Sequence, residues 1–430
     1  MMRVPFRRLV PLFGYAGLLA MSAVLPLNAI AAHAKPPPHR VRSAKMETAP
    51  PIVPLAQIQA FGGMPAPFAL EAKSALMIDE RTGARLYAFN EHEKMQPASL
   101  AKIMTFYLTL EAIRQNRIAL DTQVNISEAA WRLSLNDTVS RMFLQVGQKV
   151  AVRDLLYGLM VSSGNDAAVA LAEYLGGSSE AFAQQMNDKA AQLGMTETHF
   201  TNPDGLPADG EYTTAADMVK LGRDLQSRFP DSITYTETKS YTWAAVGPEG
   251  KVKNITQENF DSLLKYDARA DGIKTGHVDA AGYHLVGSGH FGGMRLLSAV
   301  MGTTSMEKRR VETKQLFDWG FRTFNTVHPE WRKTVPASML VYQGTAESVA
   351  IAPSSDASVT CLRGKENQVT ASYVGNAKYL VAPVTKGFAV GTMPVMQDGK
   401  EIASIPVVAQ SAVPAAGFFK RLKDKIRMKL

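Results

Sequence analysis

Cysteine is almost missing from this chain: Cys361 is the only one in 430 residues, so no internal disulfide can form. The histidines show no metal-ligand spacing with cysteine or acidic residues. A glycine-rich phosphate loop opening a helix is also missing, as is any nucleotide-binding signature. These absences argue against a disulfide-stabilised domain, a metal centre and a nucleotide-dependent enzyme, and they predict that Cys361 is a buried, inert thiol.

Excess charge is missing from the middle of the chain, although the whole carries a formal +8. Residues 1–34 carry +3 and residues 417–430 carry +5, which leaves no net charge between them. A nucleic-acid-binding protein would place its basic residues on the globular body. We therefore expect no nucleic-acid partner, and we expect both basic segments to face a membrane.

The N-terminal segment, residues 1–34, has the features of a secretory signal. Basic residues precede an apolar stretch over 9–27, and Ala32-His33-Ala34 is a small-x-small cleavage site. An uncleaved membrane anchor is the alternative, but two prolines in the stretch favour cleavage. Residues 35–56 are rich in proline and basic side chains, which predicts an extended linker.

The pattern of apolar residues predicts two domains after the linker. Helix-type spacing covers much of 152–228, and strand-like runs occur on both sides of it, at 74–79, 85–89, 271–277, 282–288 and 294–301. Because the connections within each strand group are hairpins, we expect an α/β domain over 57–323 with a mostly antiparallel sheet. Short strand candidates and the hairpin signal Asp398-Gly399 predict an all-β, sandwich-like domain over 324–412.

The first candidate site lies in the hexapeptide Pro97–Lys102, which opens an apolar helix. Ser99 and Lys102 are three residues apart, so their side chains share one helix face. A lysine that burial has deprived of water can serve as the base that activates a serine. The same S-x-x-K pattern also begins at Ser262, in a predicted loop, and at Ser305, beside other charged residues, so the motif alone is weak.

Two further motifs carry polar groups that could join this site. Ser163-Gly164-Asn165 falls between two predicted helices, where it could line a cleft or could simply cap a helix. Lys274-Thr275-Gly276 lies in a strand-like run, where Lys274 and Thr275 could meet a carboxylate and Gly276 could let a ligand backbone approach. The alternative for Lys274-Thr275-Gly276 is an exposed edge strand with a bulge.

Together the motifs follow the order S-x-x-K, S-x-N, K-T-G, the signature of class A β-lactamases and penicillin-binding proteins. The stretches Pro97–Lys102, Ser162–Ala167 and Asp271–His277 resemble the low-molecular-mass penicillin-binding proteins that act as D-alanyl-D-alanine carboxypeptidases, serine peptidase family S11. The resemblance covers about residues 57–430. It implies a penicillin-binding, β-lactamase-like transpeptidase fold, with helices on both faces of the sheet and an α-rich lobe.

The resemblance also implies a role for each matching residue in the reaction. Ser99 would attack the bond between the terminal D-alanines of a peptidoglycan stem pentapeptide, with Lys102 as general base. Ser163 would relay a proton to the departing D-alanine with help from Lys274. The backbone N–H groups of Ser99 and His277 would form the oxyanion hole. No cofactor is needed, and β-lactam antibiotics would acylate Ser99.

The remaining implied roles concern the substrate. Asn165 would bond its peptide amide, and the peptide would lie along Lys274–His277, Gly276 included, as an added strand. Thr275, assisted by Arg309, would meet its terminal carboxylate. S-G-N in place of S-D-N, and the lack of a Glu-x-x-x-Asn element in 196–213, favour a carboxypeptidase over a β-lactamase. A D,D-endopeptidase and a catalytically silent wall-binding protein are further alternatives.

The tail, residues 413–430, is predicted to anchor the protein. In a helix, the apolar residues fall on one side and six basic residues on the rest; the apolar ones are Phe418, Phe419, Leu422, Ile426 and Leu430. The fourteen residues 417–430 would form a helix about 21 Å long, which is too short to span a bilayer. We expect the helix to lie on an anionic membrane surface, the exported enzyme being on the periplasmic face of the inner membrane. A helix packed on the β domain and a disordered tail are the alternatives.

Overall fold

The computed structural model of the chain describes Phe61, Phe68 and residues 70–246 and 251–428. The signal segment predicted over 1–34 and the linker predicted over 35–56 lie outside these residues, as does Leu430. Helices occupy the following ranges: α1 (Ala101–Arg114), α2 (Glu128–Leu135), α3 (Val152–Met160), α4 (Asn165–Gly176), α5 (Ser179–Gln192), α6 (Ala215–Arg228), α7 (Ile233–Thr236), α8 (Leu263–Tyr266), α9 (Met306–Thr323) and α10 (Phe418–Arg427).

Strands lie on both sides of the helical region and beyond it. Up to the end of α9 they are β1 (Ser74–Asp79), β2 (Arg85–Phe89), β3 (Gln123–Asn125), β4 (Lys149–Ala151), β5 (Ser240–Val246), β6 (Val252–Glu258), β7 (Ala270–Val278), β8 (Gly282–Phe291) and β9 (Met294–Thr303). After α9 they are β10 (Phe324–Val327), β11 (Ser338–Tyr342), β12 (Ser348–Pro353), β13 (Val359–Leu362), β14 (Thr370–Ala371), β15 (Val374–Gly375), β16 (Leu380–Val381), β17 (Ala389–Gln397) and β18 (Lys400–Ala409).

The main sheet of the first domain has the order β2-β1-β9-β8-β7, and each neighbouring pair is antiparallel. This confirms the prediction of a mostly antiparallel sheet built from strands at both ends of the region. Alternate residues of β9 point to opposite faces, so a Cβ at Gly222 of α6 would lie 3.3 Å from Leu297, while a Cβ at Gly320 of α9 would lie 2.6 Å from Leu296. Helices therefore cover both faces, as the resemblance implies.

Helices α1 to α5 form the helical lobe, in which α1 packs against α3, α4 and α5. Every residue of α1 from Ala101 to Thr109 is buried, including Lys102. A helix that is apolar on nearly all sides needs partners on all sides, and the surrounding helices and sheet supply them. The segment that carries the candidate base is thus deep in the core.

The second domain is rich in β structure, as the sequence predicts. Its strands join a curled sheet in the order β14-β17-β18-β12-β11-β16, with β15 also on β17, and β10 pairs with β13. Asp398 and Gly399 have φ angles of +51° and +75° and join β17 to β18, which confirms the predicted hairpin. Cys361 on β13 is fully buried, and burial raises the pKa of its thiol to about 12. Strands β10 and β11 lie outside the six stretches of this domain that the sequence predicts as strands, 348–351, 357–362, 368–373, 379–381, 389–396 and 401–409.

None of the helices in residues 70–246 and 251–428 is both long and apolar enough to cross a bilayer. Across the same ranges, no group of three or more His, Cys, Asp or Glu side chains is placed to hold a metal ion.

Candidate active site

Ser99 and Lys102 meet at the entrance to α1. Pro97 precedes a short 3-10 turn, Ala98–Leu100, that leads directly into the helix, and Lys102 occupies the first helical turn. Lys102 Nζ lies 2.9 Å from Ser99 Oγ. Ser99 is partly exposed, whereas Lys102 is fully buried, so the nucleophile faces solvent and its partner lies behind it in the core.

Lys102 has two more hydrogen-bond partners, and both can only accept. Nζ donates to Asn165 Oδ1 at 2.7 Å and to the backbone oxygen of Asp204 at 2.5 Å. A neutral amine has two N–H bonds and one lone pair. When these two oxygens take the N–H bonds, the lone pair is left pointing at the Ser99 hydroxyl.

The protonation of Lys102 is shifted in the direction that a base requires. Burial lowers the pKa of Lys102 from 10.5 to about 8, against the opposing effect of the nearby acidic groups Asp204, Asp166 and Glu211. Burial in turn raises the pKa of Glu211 to about 8. At pH 7 about a tenth of Lys102 is therefore neutral, a far larger fraction than for a lysine in water.

The loop that supplies the Asp204 carbonyl is held against α1 by local turn chemistry. Asn202 Oδ1 accepts from Gly205 N at 2.6 Å, and Thr105 Oγ1 donates to Pro203 O at 2.6 Å. Gly205 has a φ of +75°, and a Cβ there would lie 1.8 Å from Ala98 O. Sequence reasoning missed Asp204 as a site residue, although Asn-Pro-Asp-Gly is a recognisable turn sequence.

Ser163-Gly164-Asn165 leads into α4, as the sequence predicts. Ser163 has a φ of +53° and α4 begins at Asn165. The Asn165 side chain is engaged at both ends, because its Oδ1 accepts from Lys102 and its Nδ2 donates to Ser140 O at 2.9 Å. The resemblance implies that Asn165 bonds the substrate amide; here its side chain joins the base to the loop that carries Ser140.

Asp166 fixes that loop on α4. Its carboxylate accepts from Ser134 Oγ at 2.6 Å, from Met142 N at 2.8 Å and from Leu144 N at 3.2 Å. Asp166 is fully buried, so these charge-assisted bonds replace the water it gives up. The loop lines the cleft through Asp137–Ser140, and the sequence carries no signal that would have identified Asp166 as its anchor.

The K-T-G motif lies on β7, at an edge of the main sheet as far as the chain is described. Lys274 is buried, and burial together with the charges of Lys102 and Arg309 lowers its pKa well below that of free lysine. A Cβ at Gly276 would lie 3.0 Å from Pro97 O and 3.3 Å from Ala98 Cβ. The sequence predicts that Gly276 admits a ligand backbone; in the structure its bare face admits the turn that carries Ser99.

Arg309 reaches the site from α9 and lies behind β7. Its guanidinium donates to Gly276 O at 3.0 Å, and burial lowers its pKa to about 10. His277 stacks on Tyr283 with ring centroids 3.9 Å apart. Ser99, Ser163, Asn165, Thr275, His277 and Arg309 all line one cleft of about 460 Å³. The cleft thus brings together residues from all three motifs.

The other two S-x-x-K tetrads have structural roles. Ser305 caps α9 by accepting from Lys308 N at 3.1 Å, and the exposed Lys308 side chain pairs with Glu71. Lys265 pairs with Glu258 at the surface. The loop predicted around Lys265 is wrong, because residues 263–266 form the short helix α8.

Comparison with known proteins gives consistent matches over most of the chain. The model of the D-alanyl-D-alanine carboxypeptidase family, Peptidase S11, matches residues 62–305, and that of the penicillin-binding protein 5 C-terminal domain matches residues 324–415. D-alanyl-D-alanine carboxypeptidase DacA of Escherichia coli is 37% identical over 362 residues, covering 84% of this chain and 88% of that protein. DacF of Bacillus subtilis is 33% identical over 82% of this chain and 88% of its own length.

Solved structures agree with the sequence matches. Penicillin-binding protein 5 from Haemophilus influenzae superposes with a TM-score of 0.73 at 35% identity, covering 82% of this chain and all of that one. The Streptomyces K15 DD-transpeptidase superposes with a TM-score of 0.56 at 32% identity, covering 60% of this chain and 99% of its own.

Proposed function

This chain belongs to the D-alanyl-D-alanine carboxypeptidase family, peptidase family S11, and we propose that Ser99, Lys102 and Ser163 carry out its reaction. Members of this family are serine-type D-Ala-D-Ala carboxypeptidases and penicillin-binding proteins that act in peptidoglycan remodelling. Peptidoglycan peptides are therefore its substrates, and β-lactams bind to it.

The contact between Lys102 and Ser99 carries the proposal. Neutral Lys102, held by Asn165 and by the Asp204 carbonyl, takes the Ser99 proton as Ser99 Oγ bonds to the carbonyl carbon of the penultimate D-alanine. The backbone N–H groups of Ser99 and His277 stabilise the oxyanion that forms. Asn165 therefore acts on the base, and its Oδ1, which accepts from Lys102, has a second lone pair that can accept from the substrate amide.

The departing D-alanine needs a proton on its nitrogen. Ser163 lines the same cleft as Ser99 and relays that proton, and the lowered pKa of Lys274 suits it to help. Water then attacks the acyl-enzyme, which releases the shortened peptide and regenerates Ser99. The peptide itself lies along β7, which pairs with β8 on its other side, so its backbone can add as a strand.

Thr275 and Arg309 account for the preference for a free carboxyl terminus. Thr275 lies on β7 at the cleft, and the buried Arg309 guanidinium places a positive charge behind the strand through Gly276 O. A charge in this low-dielectric position favours a carboxylate at that end of the cleft.

Intact-mass measurement after mixing the protein with penicillin tests the proposal directly. Wild-type protein should gain the mass of the drug, because acylation forms a stable bond at Ser99. Ser99→Ala should gain nothing and should release no D-alanine from a pentapeptide. Ser262→Ala and Ser305→Ala are matched controls from the other tetrads and should behave as wild type. Acylation of Ser99→Ala would refute the assignment, and rapid turnover of the drug would favour a β-lactamase.

We also propose that this exported protein is held on the periplasmic face of the inner membrane by its tail. Supporting this, α10 exposes Phe418, Phe419, Leu422 and Ile426, with exposed basic residues between them. Such a helix lies flat at an anionic surface. In this arrangement residues 57–323 form the catalytic domain, residues 324–412 the spacer that raises it, and residues 413–430 the anchor.

A further inference from the structure

One end of the C-terminal sheet, which we name the distal end, is the end at which β11, β16 and β18 finish and β12 and β17 begin. The strand register places these termini together, since Tyr342 pairs with Val381 and Ala389 pairs with Val408. The loops 343–347, 382–388 and 410–417 therefore meet there, joined by bridges from Gly344 to Ala415 and from Val384 to Val413. Helix α10 follows the last of these loops.

Helix α10 is fixed to the distal end by buried polar contacts. Asp424, the only acidic residue in 417–430, is 4% exposed and accepts from Gln343 N at 2.6 Å. Lys420 Nζ donates to Gly344 O at 2.6 Å, and Ala416 N donates to Gln343 O at 2.8 Å. A ten-residue helix is marginal alone in water, so these contacts make it part of the domain. Its apolar side chains remain exposed.

The β domain itself adds apolar side chains at this end. Val381 is 43% exposed and Phe388 is 49% exposed. Tyr379 is 37% exposed and its ring packs 5.0 Å from that of Tyr342, the residue before Gln343. Residues 376–389 contain no acidic residue and include Lys378 and Lys386, both exposed; at the distal end loops the exposed acid is Glu347.

We propose that Val381, Phe388 and Tyr379 form with α10 a single composite face that contacts an anionic phospholipid bilayer. This proposal rests on the tail anchoring proposed above and extends it to the β domain. Aromatic and aliphatic side chains interspersed with lysines are the composition that interfacial lipid binding favours, and lysine head groups meet the lipid phosphates. Because Asp424 holds α10 against the 343–347 loop, at the same end of the sheet as the 382–388 loop, the face sets the orientation of the enzyme as well as its attachment.

Depth-dependent quenching by brominated lipid tests the composite face. We would prepare Phe388→Trp, Phe419→Trp and, as a control, Phe291→Trp, and bind each purified protein to phosphatidylglycerol–phosphatidylcholine vesicles containing brominated acyl chains. Phe291 is 53% exposed, much like Phe388, but lies at the tip of the β8–β9 hairpin in the first domain. The brominated lipid should quench a larger share of the fluorescence in Phe388→Trp and Phe419→Trp than in wild type, whose signal comes from the chain's own four tryptophans. Phe291→Trp should show no such extra quenching.

The outcomes separate the two proposals. If Trp at 419 is quenched and Trp at 388 is not, tail anchoring stands and the composite face is refuted. If neither is quenched, the anchoring itself fails. Adding Asp424→Ala should abolish quenching at 388 but retain it at 419, because the freed helix still binds lipid. Equal quenching at both sites in the Asp424→Ala background would refute the role of Asp424 in holding α10 in place.

A binding measurement gives a second readout that needs no new fluorophore. The double variant Val381→Ser, Phe388→Ser should bind the same vesicles about tenfold more weakly, since two side chains no longer enter the apolar region. Phe291→Ser should bind as wild type. Unchanged affinity in the double variant would overturn the proposal.

Discussion

Replacing Asp204 by Asn should shift the pH at which Ser99 becomes reactive. Lys102 must be neutral to accept the proton, so acylation should rise with pH through the pKa of Lys102, about 8. The Asp204 carboxylate favours the charged form of Lys102 and so raises its pKa. Removing that carboxylate should therefore lower the pKa and move the midpoint of the profile to lower pH.

Asp204→Asn changes the charge of this residue but keeps its hydrogen bonds. Lys102 donates to the backbone oxygen of Asp204, and Leu206 N donates to Asp204 Oδ1, an oxygen that asparagine retains. With a pKa of about 8, roughly a tenth of the enzyme holds neutral Lys102 at pH 7. Loss of an opposite charge beside a titrating group lowers its pKa by about one unit, which raises that fraction to roughly one half.

Acylation of Asp204→Asn at pH 7 should therefore be about fivefold faster than wild type, while the two rates converge above pH 9. The assay is the second-order rate of labelling by a fluorescent penicillin, measured from acid to alkaline pH. Asp209→Asn, an exposed carboxylate in the same loop, is the control and should match wild type. A wild-type rate that is flat through pH 8, or a midpoint that rises in Asp204→Asn, would refute Lys102 as the base.

Three further changes have definite expected results. Lys102→Arg should give no penicillin adduct at any pH, as judged by intact mass, because guanidinium stays protonated; a normal adduct would exclude general-base action. Asp166→Asn should lower the free energy of unfolding in urea by about 2 kcal/mol, whereas the exposed Asp137→Asn should not, since a buried charged acceptor is lost only in the first. Deleting residues 418–430 should release the protein from membranes without loss of activity on a small peptide; continued sedimentation with membranes would place the anchor elsewhere. The deletion should start at 418, because Val413 is buried and pairs with Val384.

Local sequence determined the elements and the central contact of the site. Apolar spacing of three and four residues, or of two, reflects the geometry of a single helix or strand, so α3 to α6 and β7 to β9 could be predicted. The contact between Ser99 and Lys102 is likewise local, because residues three apart on a helix are neighbours. Cys361 could be predicted as a buried thiol because the chain has no second cysteine with which it could form a disulfide.

Only the tertiary structure decided what Lys102 and Gly276 do. Asn165 and Asp204 lie 63 and 102 residues from Lys102, and nothing in the local pattern indicates that both would accept its N–H bonds. Gly276 has the same sequence signature whether its bare face admits a ligand or, as here, the turn before Ser99. Such contacts depend on how distant segments pack, and periodicity carries no information about that.

The tail shows the same division between local pattern and packing. Its amphipathic pattern was enough to predict an interfacial helix, but membrane binding and packing on the β domain remained alternatives. The structure packs the helix on the β domain, because Asp424 turns inward to Gln343, and it leaves Phe418 and Phe419 exposed, so this packing does not cover the apolar side. The sequence shows which side of a helix is apolar. Which side packs against the domain depends on tertiary structure, here on the backbone N–H of Gln343 that bonds Asp424.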